Sequence, residues 1–106
     1  MPVNFIYMTA GSKTEAQKIG KSLVESRLAA CVNIVDNMES IYRWEEEIQQ
    51  DAEVVLIAKT TDDLISQLIE KVIALHSFDC PGIVSLPVLE GYPPFLNWIQ
   101  TEVKKA

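Results

Sequence analysis

Residues 31–60, CVNIVDNMESIYRWEEEIQQDAEVVLIAKT, decide the fold. Residues 31–44 read as one long strand, interrupted near Asp36-Asn37 where a turn or bulge fits. The stretch EEEIQQD then makes the tip of a hairpin, and EVVLIAKT (53–60) returns as a strand. Its consecutive apolar residues Val54, Val55, Leu56 and Ile57 need cover on both faces, which places this strand inside a sheet.

Upstream, VNFIYMT (3–9) is a short apolar run that also reads as a doubly buried strand. SKTE follows with the form of a capping box, Ser12 as N-cap and Glu15 three residues on. Ala16, Ile19, Gly20, Leu23, Val24 and Leu28 share one helical face, so the spacing predicts a helix to about Ala29. Downstream, Thr61, Asp62 and Asp63 open a second helix with acids at its positive end. Its stripe is Leu64, Ile65, Leu68, Ile69, Val72 and Ile73. IVSLPV (83–88) is a fourth strand, marked as an edge by Pro87, which cannot donate to a central ladder. YPPFLNWIQTEVKK closes the chain as a short helix, with Trp98 read as a core anchor beside Phe95 and Ile99. The order β-α-β-β-α-β plus a C-terminal helix is that of an α+β, ferredoxin-like split βαβ domain spanning residues 1–106. Strands one and three are then central in an antiparallel sheet, and the second and fourth are edges. A long uncovered edge at 31–44 invites pairing with another chain, so an oligomer is expected.

The charge balance is 9 basic against 15 acidic residues, net −6. Phosphate neutralisation needs a basic stripe, and none is visible, so nucleic acid is not an expected partner. No basic start precedes the N-terminal apolar run, which is too short for a signal peptide or a membrane span. Two cysteines make no disulfide framework and read as reduced thiols in a cytoplasmic protein. The acids of WEEEIQQDAE read as a solvated hairpin tip.

The chemistry-bearing stretch is LHSFDCPGIVSLPV (75–88), where the single histidine, His76, precedes Cys80 by four positions with Asp79 between them. A helix would seat His76 and Cys80 on one face, but Pro81 pushes Cys80 toward an extended backbone. A closed tetrahedral metal site wants four nitrogen or sulfur ligands, more than this stretch supplies. His76 also continues the stripe Ile65, Ile69, Val72, which points to a packed or hydrogen-bonded histidine at a helix end. Met8 offers a thioether of the kind that suits Cu(I). Cys31 reads as a small packed residue at a strand start. Lys59, ending a buried strand, calls for a carboxylate, an exit to water or an anionic ligand. No catalytic triad, P-loop or metalloprotease motif is present, so no enzyme is expected.

ESRLAACVNI (25–34), SIYRWEEEI (40–48), Lys59-Thr60, LHSFDCPGIVSLPV and GYPPFLNWI (91–99) stand in order along nearly the whole chain. Together they resemble the CutA family, the divalent-cation tolerance proteins. The resemblance implies a compact homotrimer in which long hairpins exchange contacts around a threefold axis, with the general shape of the PII signalling proteins. It also implies an association with copper tolerance, divalent-metal binding in some members, and no agreed reaction. This sequence departs from the family's His-Pro-Tyr-Glu motif and the Pro-Glu that follows it: here stand His76, Ser77, Phe78, Asp79, then Pro81 and Gly82. A glycine often follows one residue after the position matching Glu45, where Glu46 stands here. The copper ligands proposed for bacterial members fall on Met8, Leu75 and His76, so the expectation is weak Cu binding through His76 and Met8, with no cofactor required. Ile41, Tyr42, Arg43 and Trp44 are expected at the subunit interface. Lys59, His76, Asp79, Tyr42 and Trp44 of neighbouring chains are expected to form a cleft for a metal ion or a small anion. Lys59 would supply charge there, the aromatics a flat wall, and His76 a pH-dependent donor. The alternatives are a PII-like sensor of an anionic metabolite and a structural trimer acting through protein contacts.

Overall fold

Alternating burial shows which way each strand faces. The structure, a computed structural model, describes residues 2–106. Along β1 (Val3–Ala10) Ile6, Met8 and Ala10 are fully buried, while Phe5, Tyr7 and Thr9 point to the other face. Along β3 (Glu47–Thr61) Val54, Leu56 and Ala58 repeat the pattern. β2 (Cys31–Trp44) and β4 (Ile83–Pro87) complete an antiparallel sheet of order β2-β3-β1-β4. The two doubly apolar strands are central and the Pro87 strand lies at an edge, as the sequence predicts.

Helix α1 (Lys13–Glu25) starts at Ser12, whose hydroxyl accepts from the Glu15 backbone N–H at 3.1 Å. It ends earlier than the periodicity predicts, because Arg27 turns left-handed at φ 59°. The Leu28 N–H bonds Leu23 O and the Arg27 N–H bonds Val24 O, a Schellman closure. Arg27 stands where glycine is usual, and its guanidinium donates to Thr101 O and Glu102 O of α3 (Pro93–Glu102). Leu28 therefore enters the core beyond the helix, and Val24 is exposed rather than packed. A 3-10 turn at Asp62–Leu64 precedes α2 (Ile65–Leu75), whose Leu68 and Val72 are buried with Leu64, whereas Ile73 faces outward.

The core lies between α1, α2 and one sheet face, with Val103 joining it past the end of α3. Burying each Leu or Ile there contributes about 1.5–3 kcal/mol. α1 sits close on β2 because Gly20 has no side chain; a Cβ there would come 3.3 Å from Val32 Cγ1. Trp98 is not a core anchor. It is 42% exposed and stacks on Phe95 with ring centroids 6.0 Å apart, while the neighbouring Ile99 takes the buried position.

The hairpin is tighter and longer than expected. Only Glu45 and Glu46 form its turn, both at positive φ, and pairing runs from Trp44↔Glu47 inward. The predicted interruption is a bulge between Val35 and Met38, with Asn37 at φ 61°. Beyond the bulge, Met38, Tyr42, Trp44 and Glu53 continue the sheet face away from the helices, and Ile41, Arg43 and Ile48 take the opposite face.

Candidate functional site

Helix α2 stops at Leu75, and His76 is already extended at φ −84°, ψ 144°. His76 therefore leaves the helical stripe, and the i, i+4 pairing with Cys80 is lost one turn earlier than Pro81 alone requires. Its Nε2–H donates to Thr9 O at 2.7 Å, and Nδ1 accepts the Phe78 N–H at 3.0 Å. These bonds set the tautomer: the proton sits on Nε2, and both ring nitrogens are engaged by backbone. The Phe78 ring lies 4.6 Å from the imidazole and packs over Gly11, where a Cβ would come 3.3 Å from Phe78 Cε1.

Glu15 fastens this loop to α1. One carboxylate oxygen accepts the Gly11 N–H at 3.1 Å and the other the Ser77 N–H at 2.8 Å. Burial pushes its pKa up, but the bonds from Ser77 and Gly11, with His76 nearby, outweigh that and hold it below the ordinary 4.5. The sequence shows Glu15 only as a capping residue. Its second role spans 62 positions and leaves no local signal.

The anchored loop and the hairpin enclose an open cleft of about 490 Å³. Tyr42, Trp44 and Glu53 line the hairpin side, Ser77 to Cys80 and Gly82 line the loop side, and Thr9 lies between. Tyr42 is fixed by donating its hydroxyl to Asp51 Oδ2 at 2.6 Å, and this bond raises its pKa above the ordinary 10.0. Tyr42, Trp44 and Asp79, expected to meet across neighbouring chains, here line a cleft of one chain, together with Phe78 and Glu53, which sequence reasoning missed. Phe78 has lost the hydroxyl of the motif's tyrosine, and Glu53 looked like one more solvated acid.

Lys59 and His76 are not among the lining residues. Lys59 pairs with Phe5, four residues along β1 from Thr9, which is roughly 13 Å at strand spacing. It is 8% exposed; its ammonium bonds Asn33 Oδ1, lies 3.6 Å from Cys31 Sγ, and sits 5.5 Å over the Phe5 ring. Its partners are thus neutral groups of the sheet face, not Asp79. His76 acts behind the cleft wall, shaping it through Phe78. Met8 is fully buried in the core, and both nitrogens of His76 are used, so these two do not form a metal site. Among the described residues no group of three or more His, Cys, Asp or Glu side chains could hold a metal ion. Of the residues expected at an interface, Tyr42 and Trp44 face the cleft, while Ile41 and Arg43 occupy the opposite hairpin face.

Residues 4–102 match the family described as CutA1 divalent ion tolerance protein. The chain is 46% identical over 95 residues to the divalent-cation tolerance protein CutA of Thermus thermophilus, covering 90% of this chain and 92% of that one. It is 38% identical to the chloroplastic protein CutA of Arabidopsis thaliana over 98% of its own length, but spans 57% of that longer chain. The crystal structure of CutA1 from Oryza sativa superposes with a TM-score of 0.97 at 37% identity, covering 100% of this chain and 97% of that one. The Thermus thermophilus protein superposes at 0.94 with 43% identity, covering 96% and 99%. These matches carry the ferredoxin-like α+β architecture with its added C-terminal helix, and with residues 4–102 matching the family model the chain belongs to the CutA1 divalent ion tolerance family.

Proposed function

We propose that this protein is a homotrimeric, non-catalytic responder to divalent cations, and that cations are held loosely in the cleft between the hairpin and the 77–82 loop. One observation carries the cation reading. Among the described residues, the ionisable carboxylates lining the cleft are Glu53 and Asp79, and no basic side chain lines it. Two carboxylates without a basic partner attract positive charge, and attract it more strongly where aromatic walls displace water. Hard cations take six or more oxygens, so two carboxylates and the hydroxyls of Thr9 and Ser77 leave most of the shell to water. Loose binding follows, with Kd on the order of 10⁻⁴–10⁻³ M, as for weak oxygen sites.

Titration calorimetry with Cu²⁺, Mg²⁺ and Ca²⁺ tests this on the wild type, on Glu53→Gln/Asp79→Asn and on His76→Ala. The double carboxylate substitution should weaken binding at least fivefold, and His76→Ala should keep the stoichiometry. A sub-micromolar site that vanishes with His76 would overturn the proposal. The charge of the cleft also speaks against the anion-sensor alternative, which relied on Lys59 facing the ligand. Anionic metabolites in a thermal-shift panel should therefore leave the melting temperature unchanged, since a ligand specific for the native state at 100 times its Kd adds about 2.7 kcal/mol.

A further inference from the structure

We infer that this cleft is built for a small organic ammonium ion, held against the ring faces of Tyr42, Trp44 and Phe78 and balanced by Glu53 and Asp79. The inference rests on the cation reading above, but places the charge on a carbon-bearing nitrogen rather than on a metal. Three aromatic side chains from two separate elements converge on one cavity, and none is spent on the core. Tyr42 and Trp44 remain 40% and 45% exposed. Each has a reason to hold still or to stay available. Tyr42 is tied to Asp51, Phe78 is set by the His76 and Gly11 contacts, and Trp44 stands two residues beyond Tyr42 on the same strand face.

Aromatic faces carry negative quadrupole density and attract a cation placed over them. A bare divalent metal gains little from them, since it needs oxygen ligands in a defined shell and gives up water reluctantly. An alkylammonium ion is weakly hydrated, has an apolar body that covers the rings, and needs only diffuse negative charge nearby. Glu53 and Asp79 supply that charge from the hairpin side and the loop side. The cavity, about 490 Å³, falls within the range of small-molecule sites and exceeds what a single metal ion requires.

The test uses choline chloride and its uncharged carbon isostere 3,3-dimethylbutan-1-ol, titrated into the full chain by calorimetry. A parallel fluorescence titration uses the Trp98→Phe background, in which Trp44 is the remaining indole. Choline should bind saturably and about tenfold or more tighter than the isostere, and should quench Trp44. Trp44→Leu should weaken choline roughly fivefold, and Trp44→Phe, which restores a ring face, should recover most of the loss. Glu53→Gln should weaken choline as well. Equal binding of the isostere, an equal response to sodium chloride, or a choline affinity indifferent to both Trp44→Leu and Glu53→Gln would overturn the inference. The two readings fail separately. Choline binding without carboxylate-dependent metal binding removes the divalent site alone, and the reverse result removes the ammonium site alone.

Discussion

Glu15 holds two pieces of backbone with one side chain, Gly11 and Ser77, while its own N–H closes the Ser12 cap. Because its folded pKa is depressed, its contribution is fully present above the unfolded value of 4.5 and is lost as pH falls through the lower folded value. Glu15→Gln should therefore cost about 1 kcal/mol at neutral pH, the worth of a charge-assisted bond in a partly exposed place. In urea unfolding at pH 7 and pH 3, the gap between variant and wild type should close at the lower pH. A gap that persists in acid would mean that Glu15 acts through packing rather than charge. Residues of this kind mark the limit of reading by sequence. Ser12 and Glu15 announce a helix start by spacing, but the reach to Ser77 depends on how α1 and the loop meet. Lys59 shows the same limit: its place at a strand end is legible, yet its neutral partners Asn33 and Cys31 follow only from the register with β2.

The hairpin turn is where local preference and structure disagree most. Glu45 and Glu46 adopt φ 51° and 67°, a backbone that suits Asn-Gly and strains a residue with a Cβ. Glu45→Asn/Glu46→Gly should stabilise the protein by about 1 kcal/mol, read as a higher denaturant midpoint with an unchanged slope. No change in midpoint would show that the frayed tip relieves the strain at no cost. The same turn explains why the sequence suggests a seven-residue tip. Glu-Glu carries no turn signature, and residues 47–52 have no apolar alternation because both faces of this strand segment are largely solvent-exposed. Backbone ladder bonds to β2 hold it, and those leave no trace in side-chain pattern. The bulge at Asp36-Asn37 was legible, since two turn-forming residues interrupt an apolar run there.

At the scale of the molecule, one sheet face carries both helices α1 and α2, and the other presents Val35, Val84 and Leu86, each 53% exposed, beside Phe5 and Tyr7. Val35, Val84 and Leu86 leave that face with an exposed apolar stretch that calls for cover, and Ile41 and Ile48, 65% and 64% exposed, add apolar surface on the opposite face of the hairpin. Closed assembly of like subunits covers such a face and its edge strands together. Sedimentation at micromolar protein should give three chains, and Leu86→Glu should shift the distribution toward monomer; a monomeric wild type would refute the trimer. The layered fold itself was legible from residue periodicity, because Val54 to Ile57 and the 3–9 run can be buried only in central strands. The cleft was legible in part: Tyr42, Trp44 and Asp79 stood out, but nothing in their spacing could show which of Lys59, His76, Phe78 and Glu53 would face them. The central position of β1 also has a consequence for biosynthesis. Its two neighbours, β3 and β4, pair with it over residues up to Thr61 and Pro87, so the first strand to leave the ribosome is among the last to find its full set of partners. Until β4 follows, one edge of that apolar strand lacks a ladder, an aggregation-prone edge in the growing chain, and the sheet closes only once β4 has been translated.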